Sequence, residues 1–191
     1  MHEILDYNTV PRLLDVRKTP ERFSYSYGQY RFLSDAAVYG TTCRSLRLVS
    51  HEFPWMIEVR PSMDGFVTCF DVLYQLYHYL NSDMKHTDWA LVLEQKEEIR
   101  NAIQKTTETR LRTAGDGAKA KRVDWLVKNV YFRGLIKDDE FAKKRLPPGE
   151  SLAEHTYVVK LVECTCLRAS LAKRNDHSQD ALQSLGGKVF M

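Results

Sequence analysis

Residues 46–80 read LRLVSHEFPWMIEVRPSMDGFVTCFDVLYQLYHYL, and this stretch decides the fold. It predicts a strand at residues 46–49, a second strand at residues 55–59 and a helix that begins after Thr68. Apolar and polar residues alternate through the second strand, which favours a half-buried antiparallel pair. Pro54 cannot donate to a ladder and therefore marks the start or the edge of that strand.

The helix after Thr68 carries a capping signal and an apolar stripe. The Thr68 hydroxyl is placed to accept from the backbone around Asp71, whose carboxylate reaches back in a capping-box arrangement. The apolar residues then recur at helical spacing, at Cys69, Val72, Leu73, Leu76 and Leu80. This spacing predicts a helix that packs one face on the sheet. We therefore interpret Asp71 as a capping residue rather than a catalytic acid or base.

A second helix is predicted after Thr87, with Thr87 as its cap and Asp88 in the first turn. Trp89, Val92 and Leu93 are its predicted buried face. Residues 94–112 read as a long, very polar helix with a thin apolar seam that includes Ile99 and Ile103. The glycines at 115 and 117 are expected to end it.

The rest of the chain adds strands. Residues 123–136 predict two short strands, or one strand with a bend at Gly134, and residues 157–162 alternate as a final strand. We predict an α+β fold with a mostly antiparallel sheet of about four or five strands and two or three helices packed on one face. Residues 1–162 form a single domain whose first 40 residues are an approach segment, and residues 163–191 form a C-terminal extension that is mobile or peripherally docked.

Composition sets limits on function. The 191 residues carry a net charge of +3 from interspersed charges of both signs, too weak a bias to imply nucleic acid or a membrane surface. The N-terminus lacks a secretory signal and no apolar run is long enough to span a membrane, so we expect an intracellular protein, cytoplasmic or nuclear. Reduced thiols are expected at all four cysteines, namely Cys43, Cys69, Cys164 and Cys166.

The sequence contains no recognisable motif for catalysis, cofactor binding or metal binding. The six histidines form no metal-binding pair, and Cys164 and Cys166 with His155 supply three ligands at best where structural zinc needs about four. The chain has no nucleophile elbow and no glycine-rich phosphate loop. We expect no catalytic, cofactor-binding or metal-binding residue. A small-molecule enzyme whose site forms only in the fold stays open as an alternative.

An aromatic segment and two tryptophans are candidate binding surfaces. Residues 23–32 alternate aromatic and polar side chains, which fits a stacking platform for single-stranded nucleic acid but fits an edge strand or a loop over the core better. The aromatic positions are Phe23, Tyr25, Tyr27, Tyr30 and Phe32. Trp55 and Trp125 are predicted to pack in the core.

Seven short segments also stand out in order along the chain: residues 5–8 (LDYN), 14–17 (LDVR), 46–48 (LRL), 54–59 (PWMIEV), 67–73 (VTCFDVL), 122–126 (RVDWL) and 132–135 (FRGL). Together they resemble an uncharacterised fungal, basidiomycete-type family that is a domain of unknown function. The resemblance covers most of residues 5–161 and departs from the pattern at Leu14, where Trp is expected, and at Tyr157, where another aromatic is usual. It implies one intact domain and a fungal source, and it implies no activity, cofactor or catalytic residue.

Basic residues form the candidate interaction surface. It consists of Lys119, Lys121, Arg122, Arg133, Lys143, Lys144 and Arg145. We predict a non-enzymatic intracellular protein-interaction module, with an unidentified protein partner that meets the polar long helix or the Trp-containing sheet face. RNA or other nucleic-acid binding through the basic residues is the first alternative, and the small-molecule enzyme is the second.

Overall fold

The computed structural model describes residues 1–9, 13–20, 33–40, 43–63, 65–115, 118–146 and 155–163. Within this part of the chain, five strands form one sheet. They are β1 (Leu14–Asp15), β2 (Leu46–Ser50), β3 (Ile57–Val59), β4 (Tyr131–Ile136) and β5 (Thr156–Val162). The aromatic segment predicted at residues 23–32 lies outside the described residues, as do Cys164, Cys166 and nearly all of the predicted C-terminal extension.

The sheet order is β1-β4-β5-β2-β3. Three of the four neighbouring pairs are antiparallel, and β2 with β5 is the parallel one. A parallel pair needs a long crossover, which here is the whole chain between Ser50 and Thr156. The prediction of a mostly antiparallel sheet of four or five strands is confirmed.

Four α-helices lie within the described ranges, and together with the sheet they give the predicted α+β fold. They are α1 (Cys69–Leu80), α2 (His86–Leu93), α3 (Glu97–Ala114) and α4 (Asp139–Arg145). A 3-10 helix, Arg122–Leu126, lies between α3 and β4. None of the helices in the described ranges has the length and apolar character required to cross a bilayer.

The predicted strand pair at residues 46–59 is confirmed. Leu46 pairs with Val59 and Leu48 with Ile57 in an antiparallel register, and all four side chains are buried. Glu58, which alternates with them, is exposed. The alternation therefore places one face of this pair in the core.

The start of α1 is also as predicted. The Thr68 hydroxyl accepts from the Asp71 backbone N at 3.1 Å, and Asp71 accepts from the Thr68 backbone N at 2.9 Å. Asp71 further accepts from the Ser62 backbone N at 3.1 Å and is buried. Asp71 thus fixes both the helix start and the loop that precedes it.

The prediction for α2 was wrong in two respects. The helix begins at His86 after Lys85, and the Asp88 carboxylate accepts from the Lys85 backbone N at 2.8 Å. Asp88, rather than the predicted Thr87, therefore caps the start of α2. Val92 is buried as predicted, but Leu93 is 67% exposed because α2 ends there and the chain turns into α3.

The long polar helix exists with shifted bounds. It begins at Glu97 rather than residue 94 and ends, as predicted, at Gly115, whose φ is 85°. Ile103 is fully buried, whereas Ile99 is 43% exposed. The apolar seam is therefore even narrower than the sequence indicated.

Of the two alternatives predicted for residues 123–136, the structure has the single strand, β4, and residues 122–126 form the 3-10 helix. A bulge interrupts β4 between Phe132 and Gly134. Gly134 has a φ of 133°, and a Cβ atom there would lie 2.5 Å from the Tyr7 Cα. The N-terminal segment approaches this closely because it hydrogen-bonds to Leu135 through Leu5 and Tyr7. The bend predicted at Gly134 is thus a site of backbone contact.

Candidate functional site

A buried polar network lies where α1, α2 and the 3-10 helix meet. Asp88 accepts from Trp55 Nε1 at 2.8 Å and from Arg122 Nε at 3.0 Å. Arg122 also donates to the Ser82 hydroxyl at 2.9 Å and lies 4.4 Å above the Tyr79 ring centroid. Every polar group of this cluster is paired, which is the condition under which a buried charge is tolerated.

This network accounts for one predicted surface residue, Arg122, and for two of the three tryptophans, Trp55 and Trp125. Arg122 is buried and paired inside the protein, so it contributes no free charge to a basic surface. Trp55 and Trp125 are buried and meet edge to face with ring centroids 5.4 Å apart. Core packing, as predicted, is the role of both indoles.

The basic residues of α4 divide into two kinds. Lys143 and Lys144 are exposed. Arg145 instead donates to the backbone carbonyls of Phe53 and Pro54, and burial lowers the pKa of its guanidinium. Arg145 therefore ties α4 to the loop before β3.

The remaining predicted residues are also partly engaged. Arg133 donates to the Tyr7 carbonyl at 3.0 Å and stacks over the Tyr7 ring, and Lys119 lies 3.6 Å from an Asp83 carboxylate oxygen. Lys121 is half-buried. The accessible ammonium groups of the predicted set are thus mainly those of Lys119, Lys143 and Lys144.

A half-open cleft of about 440 Å³, which we call the α3 cleft, lies between α3, the 3-10 helix and the turn after it. Arg17, just after β1, closes one side. Lys105, Thr109 and Arg110 of α3 line the other side. Its volume is within the range of small-molecule sites. Sequence reasoning did not predict this cleft.

Both arginines of the α3 cleft are held by buried carboxylates. Arg17 Nε and Nη2 each lie 2.8 Å from an oxygen of Asp15. Arg110 Nε and Nη2 lie 2.7 and 2.8 Å from the two oxygens of Asp124. These bidentate pairs fix the planes of the guanidinium groups.

Hydrogen bonds within each pair favour the charged form of Asp15 and of Arg110. Burial alone would raise the pKa of the Asp15 carboxyl, but the hydrogen bonds and charge of Arg17 hold it below its ordinary value. Hydrogen bonding to Asp124 raises the pKa of Arg110. The charged forms of Asp15, Arg17 and Arg110 are therefore favoured.

Three aspartates occupy the same position in three helix starts. Asp71, Asp88 and Asp124 each accept from the backbone N of the residue three positions earlier. Asp88 and Asp124 also each bind one arginine, Arg122 and Arg110 respectively. A local capping interaction is thus combined with a tertiary ion pair at two of the three sites.

One side of α1 carries a row of aromatic rings, which we call the aromatic face; Phe70 and Tyr74 are half-buried, Phe70 also packs against the core, and His78 is exposed. The Phe70 and Tyr74 ring centroids are 5.3 Å apart, and those of Tyr74 and His78 are 4.1 Å apart. Tyr77 meets His78 edge to face at 5.3 Å. His78 and Asp71 are the only Asp, Glu, Lys, Arg or His residues of α1, and Asp71 is buried in the cap.

The thiol and metal chemistry of the described residues is limited. Burial, with the nearby charge of Asp35, raises the pKa of the Cys69 thiol to about 12. Such a thiol is a poor nucleophile. Within the described ranges no group of three or more His, Cys, Asp or Glu side chains is placed to hold a metal ion.

Comparison with known proteins gives one relationship. A model of a family of unknown function, DUF6699, matches residues 12–146, which include β1 to β4, all four helices and the α3 cleft. The strand β5 lies beyond the matched residues although it is the central strand of the sheet. No curated protein and no solved structure matches the chain significantly. The chain belongs to the DUF6699 family of unknown function.

Proposed function

We propose that this chain is a non-enzymatic, intracellular fungal module that binds a protein partner through the aromatic face of α1. The observation that carries the proposal is the row formed by the half-buried Phe70 and Tyr74 and the exposed His78 along one side of the helix. Trp55 and Trp125 are buried, so the predicted alternative of a Trp-containing sheet face does not offer either indole to a partner.

The composition of the aromatic face supports this role. Aromatic side chains are enriched at the centres of protein interfaces because they bury a large area at a small cost in conformational entropy. Charged residues make up 28% of the chain, yet α1 exposes none of its acidic or basic side chains except His78. An uncharged helix face on a charged protein is a characteristic mark of a binding surface.

The same composition defines the partner. A surface without fixed charge offers no ion pair, and it would leave a charged partner group desolvated and uncompensated. The fitting partner is therefore a protein segment that presents apolar and aromatic side chains, such as one face of an amphipathic helix.

Site-specific photo-cross-linking tests the proposal. A benzoylphenylalanine is introduced at Tyr74, and a matched control carries it at Lys144, an exposed residue of α4. Both proteins are incubated with an extract of the source organism, with and without nuclease, and cross-linked peptides are identified by mass spectrometry. We expect a nuclease-resistant partner segment rich in apolar residues from Tyr74 and not from Lys144.

The affinity of the synthesised partner segment for the wild-type protein and for the Tyr74→Ser variant then shows whether the aromatic face is the binding surface. Binding weakened at least tenfold by Tyr74→Ser in a variant that still folds supports the proposal. Cross-links from Tyr74 that reach only this same chain would contradict it, because the aromatic face would then be covered internally.

Nucleic-acid binding is the second candidate, favoured by the exposed ammonium groups of Lys119, Lys143 and Lys144. Its support is weaker because all three arginines of the predicted surface, Arg122, Arg133 and Arg145, are bound to protein groups. Few phosphate contacts remain, and affinity for nucleic acid depends on their number.

A further inference from the structure

We propose that the α3 cleft binds a small organic anion, meaning a molecule that joins one carboxylate or phosphate group to an apolar body. This site is separate from the aromatic face of α1 and does not depend on the proposed protein partner. Four features of the cleft lining support this proposal, namely its charges, its hydroxyl groups, its apolar side chains and the backbone at Val127.

The cations of the cleft are already oriented. Asp124 engages Nε and Nη2 of Arg110, and among the described residues Nη1 of Arg110 makes no hydrogen bond. Nη1 is thus available to an incoming anion. Because the buried carboxylate fixes the guanidinium, binding costs little additional side-chain ordering.

The balance of charge favours one negative group. Arg17, Lys105 and Arg110 line the cleft, and the carboxylates of Asp15 and Asp124 beneath the arginines leave one positive charge in excess. Lys105 forms no ion pair within the described part of the chain. Glu108, one turn further along α3, accepts a hydrogen bond from Gln104 at 3.2 Å. A carboxylate or phosphate would complete this set of charges.

The threonines of α3 determine which hydrogen-bonding groups a ligand of the cleft should have. The hydroxyls of Thr106, Thr109 and Thr113 donate to backbone carbonyls of the same helix at 2.8 to 2.9 Å. Their oxygens therefore remain as acceptors and do not donate to an anion. A ligand with an O–H or N–H group beside its apolar body would satisfy them.

Valines supply the apolar part of the lining. Val123 and Val130 are buried beneath the cleft, and Val127 packs against the core from the turn above them. A purely inorganic anion would leave this apolar surface in contact with water, whereas an aryl or alkyl group would cover it.

The backbone at Val127 is strained. Its φ of 53° and ψ of −87° are unusual for any residue except glycine and costly for a β-branched one. Among the described residues Val127 is the sole non-glycine with a positive φ, and it lies in this cleft. Strain of this kind is retained where a particular local geometry is needed.

Titration by two-dimensional ¹H–¹⁵N NMR tests the proposal with defined probes. Phenyl phosphate and benzoate are compared with benzyl alcohol, which lacks the charge, and with inorganic phosphate, which lacks the apolar group. We expect phenyl phosphate or benzoate to shift the amides of Thr106, Arg110 and Val127 saturably. Benzyl alcohol and inorganic phosphate should bind at least about tenfold more weakly, and the two anionic probes distinguish a phosphate site from a carboxylate site.

Two variants and a control locate the binding. Lys105→Gln should raise the Kd of the better probe about tenfold, the usual effect of losing one charged hydrogen bond. Lys144→Gln, on α4, should leave the Kd unchanged. Val127→Gly suits the positive φ and should fold. Because it removes an apolar side chain from the cleft, it should weaken the binding of phenyl phosphate or benzoate but not that of inorganic phosphate.

The outcomes separate clearly. Saturable shifts at the cleft amides that are weakened by Lys105→Gln and not by Lys144→Gln support the proposal. The absence of saturable shifts with both anionic probes, equal effects of the two lysine variants, or inorganic phosphate binding as tightly as phenyl phosphate would overturn it.

Discussion

Arg122 Nε lies 3.0 Å from an Asp88 carboxylate oxygen, and both side chains are buried although 33 residues separate them in sequence. The same carboxylate caps α2 and accepts from Trp55 Nε1, so one aspartate joins a helix start, a loop and the 3-10 helix. This ion pair explains why Arg122, which follows Lys119 and Lys121 in the sequence, is buried in the core.

Removal of Arg122 from its ion pair with Asp88 should therefore strongly destabilise the fold. We expect Arg122→Ala to lower the free energy of unfolding by about 3–5 kcal/mol, because Asp88 would keep a buried charge without its partner. Arg60→Ala removes the exposed pair with Glu58 and should cost about 0–1 kcal/mol. Urea denaturation measures both, and similar losses for the two variants would show that the network is not a structural ion pair.

Gly134 and Gly115 form a matched pair for a backbone test. Both have positive φ, but a Cβ at Gly134 meets the Tyr7 backbone at 2.5 Å, whereas a Cβ at Gly115 meets nothing within 4 Å. Gly134→Ala should cost about 2–4 kcal/mol and Gly115→Ala about 1 kcal/mol, as measured by thermal or urea unfolding. Equal costs would mean that the N-terminal segment does not pack against β4.

Stability should fall in acid in part through Asp15. The pKa of Asp15 is lower in the folded protein than its ordinary value of 3.8, because Arg17 outweighs the effect of burial. A lowered folded pKa contributes stability that is present above the unfolded value and is lost as pH falls through the folded one. Asp15→Asn should thus be destabilising at pH 7 and progressively less so below pH 3.8. Urea midpoints for both proteins from pH 7 to pH 2 check this, and a constant difference would contradict it.

Thiol titration tests the cysteines. Cys69 is fully buried and its thiol pKa is raised to about 12, so it should not react with a disulfide reagent in the native protein. Freshly purified, unreduced protein should yield four thiols after denaturation, the number in the sequence. Fewer than four would reveal a disulfide, and rapid native labelling of Cys69 would show that α1 is not packed as described.

Local signals determined what could be predicted. The strand pair at residues 46–59 and the capped start of α1 depend on neighbours only a few residues apart, and both were predicted correctly. The start of α2 was misassigned because Thr87 and Asp88 are adjacent and either could serve as a cap by composition alone. Only the Lys85 backbone contact of Asp88 distinguishes them.

Non-local contacts account for the rest. The parallel pairing of β2 with β5 and the burial of Arg122 against Asp88 join distant segments, and no periodicity predicts such contacts. The α3 cleft is assembled from Arg17, α3 and the 3-10 helix, which are three separate segments. Residues 14–17 and 122–126 had been noted as motifs, but their convergence on one cleft has no signal in a single sequence.

The most direct test of the central claim is the affinity of the cross-linked partner segment for two triple variants that remain folded. One variant removes the aromatic face by Phe70→Ser, Tyr74→Ser and His78→Ser, and the other neutralises the exposed basic residues by Lys119→Gln, Lys143→Gln and Lys144→Gln. Isothermal titration calorimetry at physiological salt measures both. We expect at least a tenfold loss of affinity for the first variant and little change for the second. Binding that survives the loss of the aromatic face and disappears with the three lysines would contradict it.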